Sequence, residues 1–121
     1  MHRLGTYAWV MTVIATLMVL VGTLTPPSEM PKDIPGSDKL HHFLGFMAVV
    51  LPVCVVYPRS AIWLVPAATG LGILIEFLQP LVGRGFSVGD MVANGFGALA
   101  GGVAGWILHR PVKRAIALAR R

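Results

Sequence analysis

The sequence predicts an all-α polytopic membrane protein, a bundle of four transmembrane helices. Charged residues make up 12% of the chain, about half the usual share in a soluble protein, and hydrophobic residues make up 55%. Mean hydropathy is +0.74. A chain of 121 residues buries only a limited fraction of its surface, so a soluble fold has nowhere to hide that much apolar area. Apolar runs long enough to cross a bilayer also recur along the chain, separated by short stretches rich in proline, glycine and polar groups. The length fits a single domain, 1–121.

The first apolar run, 6–24, is just long enough to span. A cleaved signal peptide is the competing reading, with Arg3 as its positive flank. The run is long for such a segment, and the T-L-T-P-P that follows offers no small-residue cleavage site, so a retained span is expected. The prolines of 26–37 end this helix and predict an extended connector. Ser37 and Asp38 are both suitable N-caps for a second helix over about 39–57, with Pro52 as a kink point. A third helix is expected over about 61–79. Pro80, Gly83 and Gly85 then break the chain before a fourth helix over about 88–108. A basic, partly amphipathic tail, 109–121, closes the sequence.

Four spans place both termini on one side. Arg3, Arg59 and the five basic residues of the tail fall on that side, and Lys32, Lys39 and Arg84 on the other. The positive-inside rule makes the terminal side cytoplasmic. All five acidic residues, Glu29, Asp33, Asp38, Glu76 and Asp90, then lie in outer loops or at outer helix ends. The net charge of +5 does not indicate nucleic acid. Half of the basic residues sit in the tail without interleaved aromatics, which suits a juxtamembrane segment facing anionic lipid. The lone cysteine, Cys54, has no internal disulfide partner.

The chemistry-bearing residues concentrate in 76–94, between two apolar runs. Glu76 and Gln79 are three apart and share a face near the end of the third helix. Asp90 and Asn94 are four apart and share a face near the start of the fourth. Arg84 and Ser87 stand in the loop between them. The second helix opens with D-K-L-H-H, so Asp38, Lys39, His41 and His42 reach the same side. Ionisable groups are costly in hydrocarbon and are expected to face a bundle interior, a wet cavity or a partner. A carboxylate beside a histidine, two carboxylates in reach of each other, and an arginine suited to a phosphate or carboxylate are the parts of an acid–base site on an anionic substrate. His42 and Glu76 are the candidate catalytic bases. Asp38, Gln79, Arg84, Ser87, Asp90 and Asn94 are the candidate binding residues.

These residues fall into two motifs. One is D-K-x-x-H-F-x-x-F, carried by Asp38, Lys39, His42, Phe43 and Phe46. The other is E-x-x-Q followed by Arg84, Ser87, Asp90 and Asn94 on the way into a glycine-rich helix. Together they resemble the VanZ-like membrane protein family over 38–105. The resemblance implies a bacterial cell-envelope protein of the cytoplasmic membrane. It also implies a link to glycopeptide (teicoplanin) resistance, after the protein for which the family is named. It implies no settled reaction and no cofactor.

No metal site is expected, because the adjacent His41 and His42 point about 100° apart on a helix and no H-x-x-x-H or cysteine pattern is present. Asp38 can be a helix cap, a site residue or both. Glu76 can be a structural partner of Arg84 or Asn94, and Arg84 alone an interfacial anchor. Trp9, Trp63 and Trp106 lie near the cytoplasmic helix ends and read as interface anchors. Gly97, Gly101 and Gly105, with Ala93 before them, form a small-residue stripe for close helix packing within the chain.

The leading expectation is an outward-facing polar pocket for a membrane lipid or lipid-linked envelope precursor. The alternative is a non-catalytic module that assembles through its glycine-rich helix, as a homo-oligomer or with an envelope-protein partner. A proton-coupled transporter is a weaker third reading, since no ionisable residue lies in the inner half of any span.

Overall fold

The sequence folds into four long helices, described here from a computed structural model over residues 2–30 and 36–121. They are α1 (His2–Leu24), α2 (Asp38–Val56), α3 (Ala61–Leu78) and α4 (Val88–Ala119). All four are long and apolar enough to cross a membrane, α3 together with its flanking 3-10 turns. The chain is thus a multi-pass membrane protein of all-α class. Lys32 and Asp33, within 31–35 of the expected extended connector, lie outside the described residues, and the part before them is not extended throughout but forms a 3-10 turn, Pro27–Glu29.

The helix starts follow local chemistry. The Ser37 hydroxyl accepts from the Leu40 N–H at 3.1 Å and caps α2, which leaves Asp38 inside the first turn. The Ser87 hydroxyl accepts from the Asp90 N–H at 3.2 Å and caps α4 in the same way. Gly83, at φ 79°, ends the 3-10 turn Gln79–Val82 that follows α3.

Two boundaries differ from expectation. The first helix begins at His2 rather than Thr6. The fourth does not stop near Leu108 but runs through Pro111 to Ala119. Proline removes one hydrogen bond from a helix, and the surrounding Val-Lys-Arg-Ala-Ile-Ala-Leu-Ala sequence is rich in helix formers. At 1.5 Å per residue α4 is about 48 Å long, beyond the ~30 Å of hydrocarbon, so its basic last turns extend past the bilayer core.

α2 is the central helix and packs against all three others, with α4 alongside it. Its buried residues Phe46, Val49, Val50, Val53 and Cys54 form the core with Ile75 of α3 and Ala98 of α4. The α2–α4 contact depends on missing side chains. A Cβ at Gly97 would collide with the Phe43 carbonyl oxygen. One at Gly101 would lie 2.8 Å from the Met47 carbonyl oxygen, and one at Gly105 would lie 2.5 Å from the Cys54 Cβ. Without a hydrophobic driving force between helices in lipid, such close approach is what gains packing energy. The outer faces carry Val10, Ile14, Leu17, Val21, Phe77, Val92, Phe96 and Val103, as a lipid-facing surface requires.

A side chain of α1 also reaches the α2 backbone. The Thr12 hydroxyl of α1 donates to the Val49 carbonyl at 2.8 Å and ties the two helices together. At the same end of the bundle as the chain termini, a His109 ring N–H donates to the Val55 carbonyl at 2.7 Å, in the last turn of α2. Trp9 and Trp63 stack there with ring centroids 5.8 Å apart.

Candidate functional site

At the opposite end of the bundle, the start of α2, the end of α3 and the start of α4 meet. Asp38 and His42 are one turn apart on α2, and Asp90 and Asn94 one turn apart on α4. The His42 ring faces both α4 residues. Its Nδ1 is 2.7 Å from Asn94 Oδ1. Its Nε2 is 3.8 Å from Asp38 Oδ2 and 3.7 Å from Asp90 Oδ2. Lys39 Nζ is 3.4 Å from the other Asp90 oxygen, Oδ1. His42 and Asp90 are each 5% exposed and Asn94 is 0%, whereas the Asp38 side chain is 62% exposed. The cluster is therefore sealed on its inner side and open at Asp38.

Asn94 is held in turn. Its Nδ2 donates to the Gly72 carbonyl of α3 at 3.4 Å. A Cβ at position 72 would lie 2.8 Å from the Asn94 Cβ, so glycine makes the room. Gly72 is part of the site, and composition alone did not mark it. The signal was its place one turn before Glu76 on the same face of α3.

Glu76 is 0% exposed. Its Oε2 accepts from the Ser87 backbone N–H at 3.1 Å, and its Oε1 has no hydrogen-bond partner among the described residues. It pairs with neither Arg84 nor Asn94, the two partners a structural role suggested, yet it lies within electrostatic range of Asp90, His42 and Asp38. Ser87 serves the site through its backbone N–H and its capping hydroxyl.

Gln79 and Arg84 turn toward α1. Gln79 Nε2 donates to the Thr23 carbonyl at 3.1 Å, and Arg84 Nη1 donates to the Gly22 carbonyl at 2.7 Å, with Thr23 and Thr25 oxygens at 3.4 Å. These are the last carbonyls of α1 and the first beyond it, which lack helical donors. Backbone oxygens carry no sequence signature, so this docking of the 79–84 turn onto α1 was not legible beforehand.

Asp38, His42 and Arg84 all line a groove of about 530 Å³ beside α1 and α2. Met18, Val19 and Ala48 continue the groove as an apolar wall. A larger groove of about 1090 Å³ lies at the other end, lined by Tyr57, Ile62, Trp106, Ile107, Arg59 and Arg110 among others. It gathers no carboxylate and reads as lipid- and headgroup-facing surface. The smaller groove is the one that reaches the buried polar cluster. Comparisons with protein-family models, curated proteins and solved structures returned no match to the chain.

Proposed function

We propose that the protein is a VanZ-like bacterial cell-envelope protein whose polar groove takes the headgroup of a membrane lipid or lipid-linked wall precursor. The observation that carries this reading is the two-sided character of the groove. Asp38, His42 and Arg84 stand at its polar end, and Met18, Val19 and Ala48 line its apolar side. An amphiphile suits such a groove, with its headgroup among the polar residues and its chain along α1 and α2. The distribution of lysine and arginine supports an orientation with both termini in the cytoplasm and the groove mouth outside.

Among the candidate bases, His42 is favoured over Glu76. His42 lines the groove, whereas Glu76 is sealed beneath it. The hydrogen bond to Asn94 Oδ1 places the ring proton on Nδ1, because a carbonyl oxygen only accepts. Nε2 is then the proton-accepting nitrogen, facing two carboxylates that stabilise a positive ring. Arg84 keeps Nη1 on the α1 carbonyls, so it helps hold an anion as a fixed charge at the groove wall. The alternative, assembly with an envelope protein or a second copy through the glycine-rich helix, loses its main support. The stripe Gly97, Gly101 and Gly105 is filled by α2 of the same chain.

The test is a comparison of lipid extracts from a deletion strain and its parent. The reading predicts accumulation of a polar lipid or lipid-linked precursor, reversed by the wild-type gene and not by His42→Ala. Identical extracts, or full reversal by His42→Ala, would contradict it.

A further inference from the structure

We infer that Asp38, His42 and Asp90 form a binding site for a divalent cation of the zinc type, with Asn94 positioning the histidine. The inference stands on the cluster itself and does not depend on the headgroup reading. One ligand-capable atom from each of the three residues lies within 4.8 Å of the other two. Nε2 of His42 is 3.7 and 3.8 Å from the nearest carboxylate oxygens. Donors in a tetrahedral zinc shell with bonds of 2.0–2.1 Å sit about 3.3 Å apart, so the two histidine–carboxylate separations need to shorten by only about 0.4–0.5 Å, while the two carboxylates, within 4.8 Å, must also draw together.

The second observation is the state of the buried ring. His42 is 5% exposed, and its Nε2 has no hydrogen bond among the described residues, since both carboxylate contacts exceed hydrogen-bond distance. The Asn94 amide is fixed by donation to the Gly72 carbonyl, which turns Oδ1 toward Nδ1 and leaves Nε2 facing the carboxylates. This is the arrangement of metal-binding histidines, one nitrogen facing the other ligands and the second hydrogen-bonded. Two carboxylate oxygens gathered about Nε2 favour positive charge between them, a place that a bound cation fills. Lys39 supplies some, but at Oδ1 of Asp90, away from the gap at Oδ2.

The ligand set indicates the class of ion. An imidazole with two carboxylates suits zinc or manganese better than magnesium or calcium, which favour all-oxygen shells. Three protein ligands leave a coordination position open, and Asp38 and His42 both line the groove from which an outside ligand would approach. The sequence argument against a metal was that His41 and His42 diverge and that no H-x-x-x-H or cysteine pattern is present, so a site would need His42 with carboxylates from other helices; the structure brings Asp90 of α4 to His42 beside Asp38. A cation at Nε2 excludes that nitrogen as a general base, so one experiment also decides between the two roles of His42.

The experiment is metal binding by the full-length protein in detergent, stripped with chelator and titrated with zinc against a chromophoric competitor, with cobalt as spectroscopic probe. Expected are about one zinc per chain and a cobalt form with the intense visible bands of a four- or five-coordinate site. Binding is lost in His42→Ala and in Asp90→Asn, retained in His41→Ala, and weakened about 10–100-fold in Asn94→Ala. Lys39→Met, which removes the competing ammonium from Asp90, tightens it. Lack of saturable binding by the wild-type protein, or binding that survives both His42→Ala and Asp90→Asn, overturns the inference. Should those variants fail to fold, the wild-type cobalt spectrum still decides: the weak bands of hydrated cobalt alone overturn it.

Discussion

Glu76 is the residue whose surroundings constrain it most. A carboxyl group with 0% exposure keeps one oxygen on the Ser87 N–H and leaves the other without a partner. Leaving a buried polar group unsatisfied costs about 1–3 kcal/mol, so the position is under local stress. Glutamine preserves an oxygen for the Ser87 N–H, whereas alanine removes it and opens a void. We therefore expect Glu76→Ala to lower stability by about 1–3 kcal/mol and Glu76→Gln by clearly less, measured by unfolding in mixed micelles. Equal losses would show that the Ser87 contact contributes nothing. The sequence placed Glu76 in a polar cluster because a charge in an apolar run has few other destinations. It did not reveal the acceptor role toward a backbone N–H, which depends on how the 79–87 turn folds back over α3. Asp38 shows the complementary case. Two cap-capable residues stood side by side, Ser37 took the cap, and Asp38 was left for His42.

Among the elements, α4 decides the fold, because its glycines set how near α2 comes. The i, i+4 recurrence of Gly97, Gly101 and Gly105 was readable as a packing face, and α2 occupies it. Gly101→Leu is expected to destabilise the bundle strongly, by more than the ~1–3 kcal/mol usual for overpacking, because the obstacle is backbone and cannot rotate away. Gly70→Ala is the matched control. No atom lies within 4 Å of a Cβ there, and removing a helical glycine gains about 0.4–1 kcal/mol. Comparable losses in the two variants would mean that glycine content, rather than the α2 contact, matters. The end of α4 was less legible than its packing face. Pro111 signals a break in isolation, but one lost hydrogen bond is outweighed by a following stretch in which six of eight residues, Lys113, Arg114, Ala115, Ala117, Leu118 and Ala119, are strong helix formers.

Across the whole molecule, the polar groups of three helices gather at one end while the other end carries the basic turns of α4 and the stacked Trp9 and Trp63. Such polarity follows from cost. Carboxylates, an imidazole and an amide are tolerated where a groove admits water and where they satisfy one another, and the mid-bilayer is left to the α2 core. The convergence of α2, α3 and α4 was predictable from helix spacing and span parity, because those two rules fix which helix ends share a side. The split within the cluster was not. Asp38, His42, Asp90 and Asn94 join one another, while Gln79 and Arg84 dock onto α1. The account rests on α2 and α4 being joined through His42 and Asn94 at 2.7 Å. A double-mutant cycle of His42→Ala and Asn94→Ala, read as unfolding free energy in bicelles, tests this most directly. The structure predicts a coupling of at least about 0.5 kcal/mol between two residues that are 52 positions apart in sequence. Strict additivity of the two losses would contradict it.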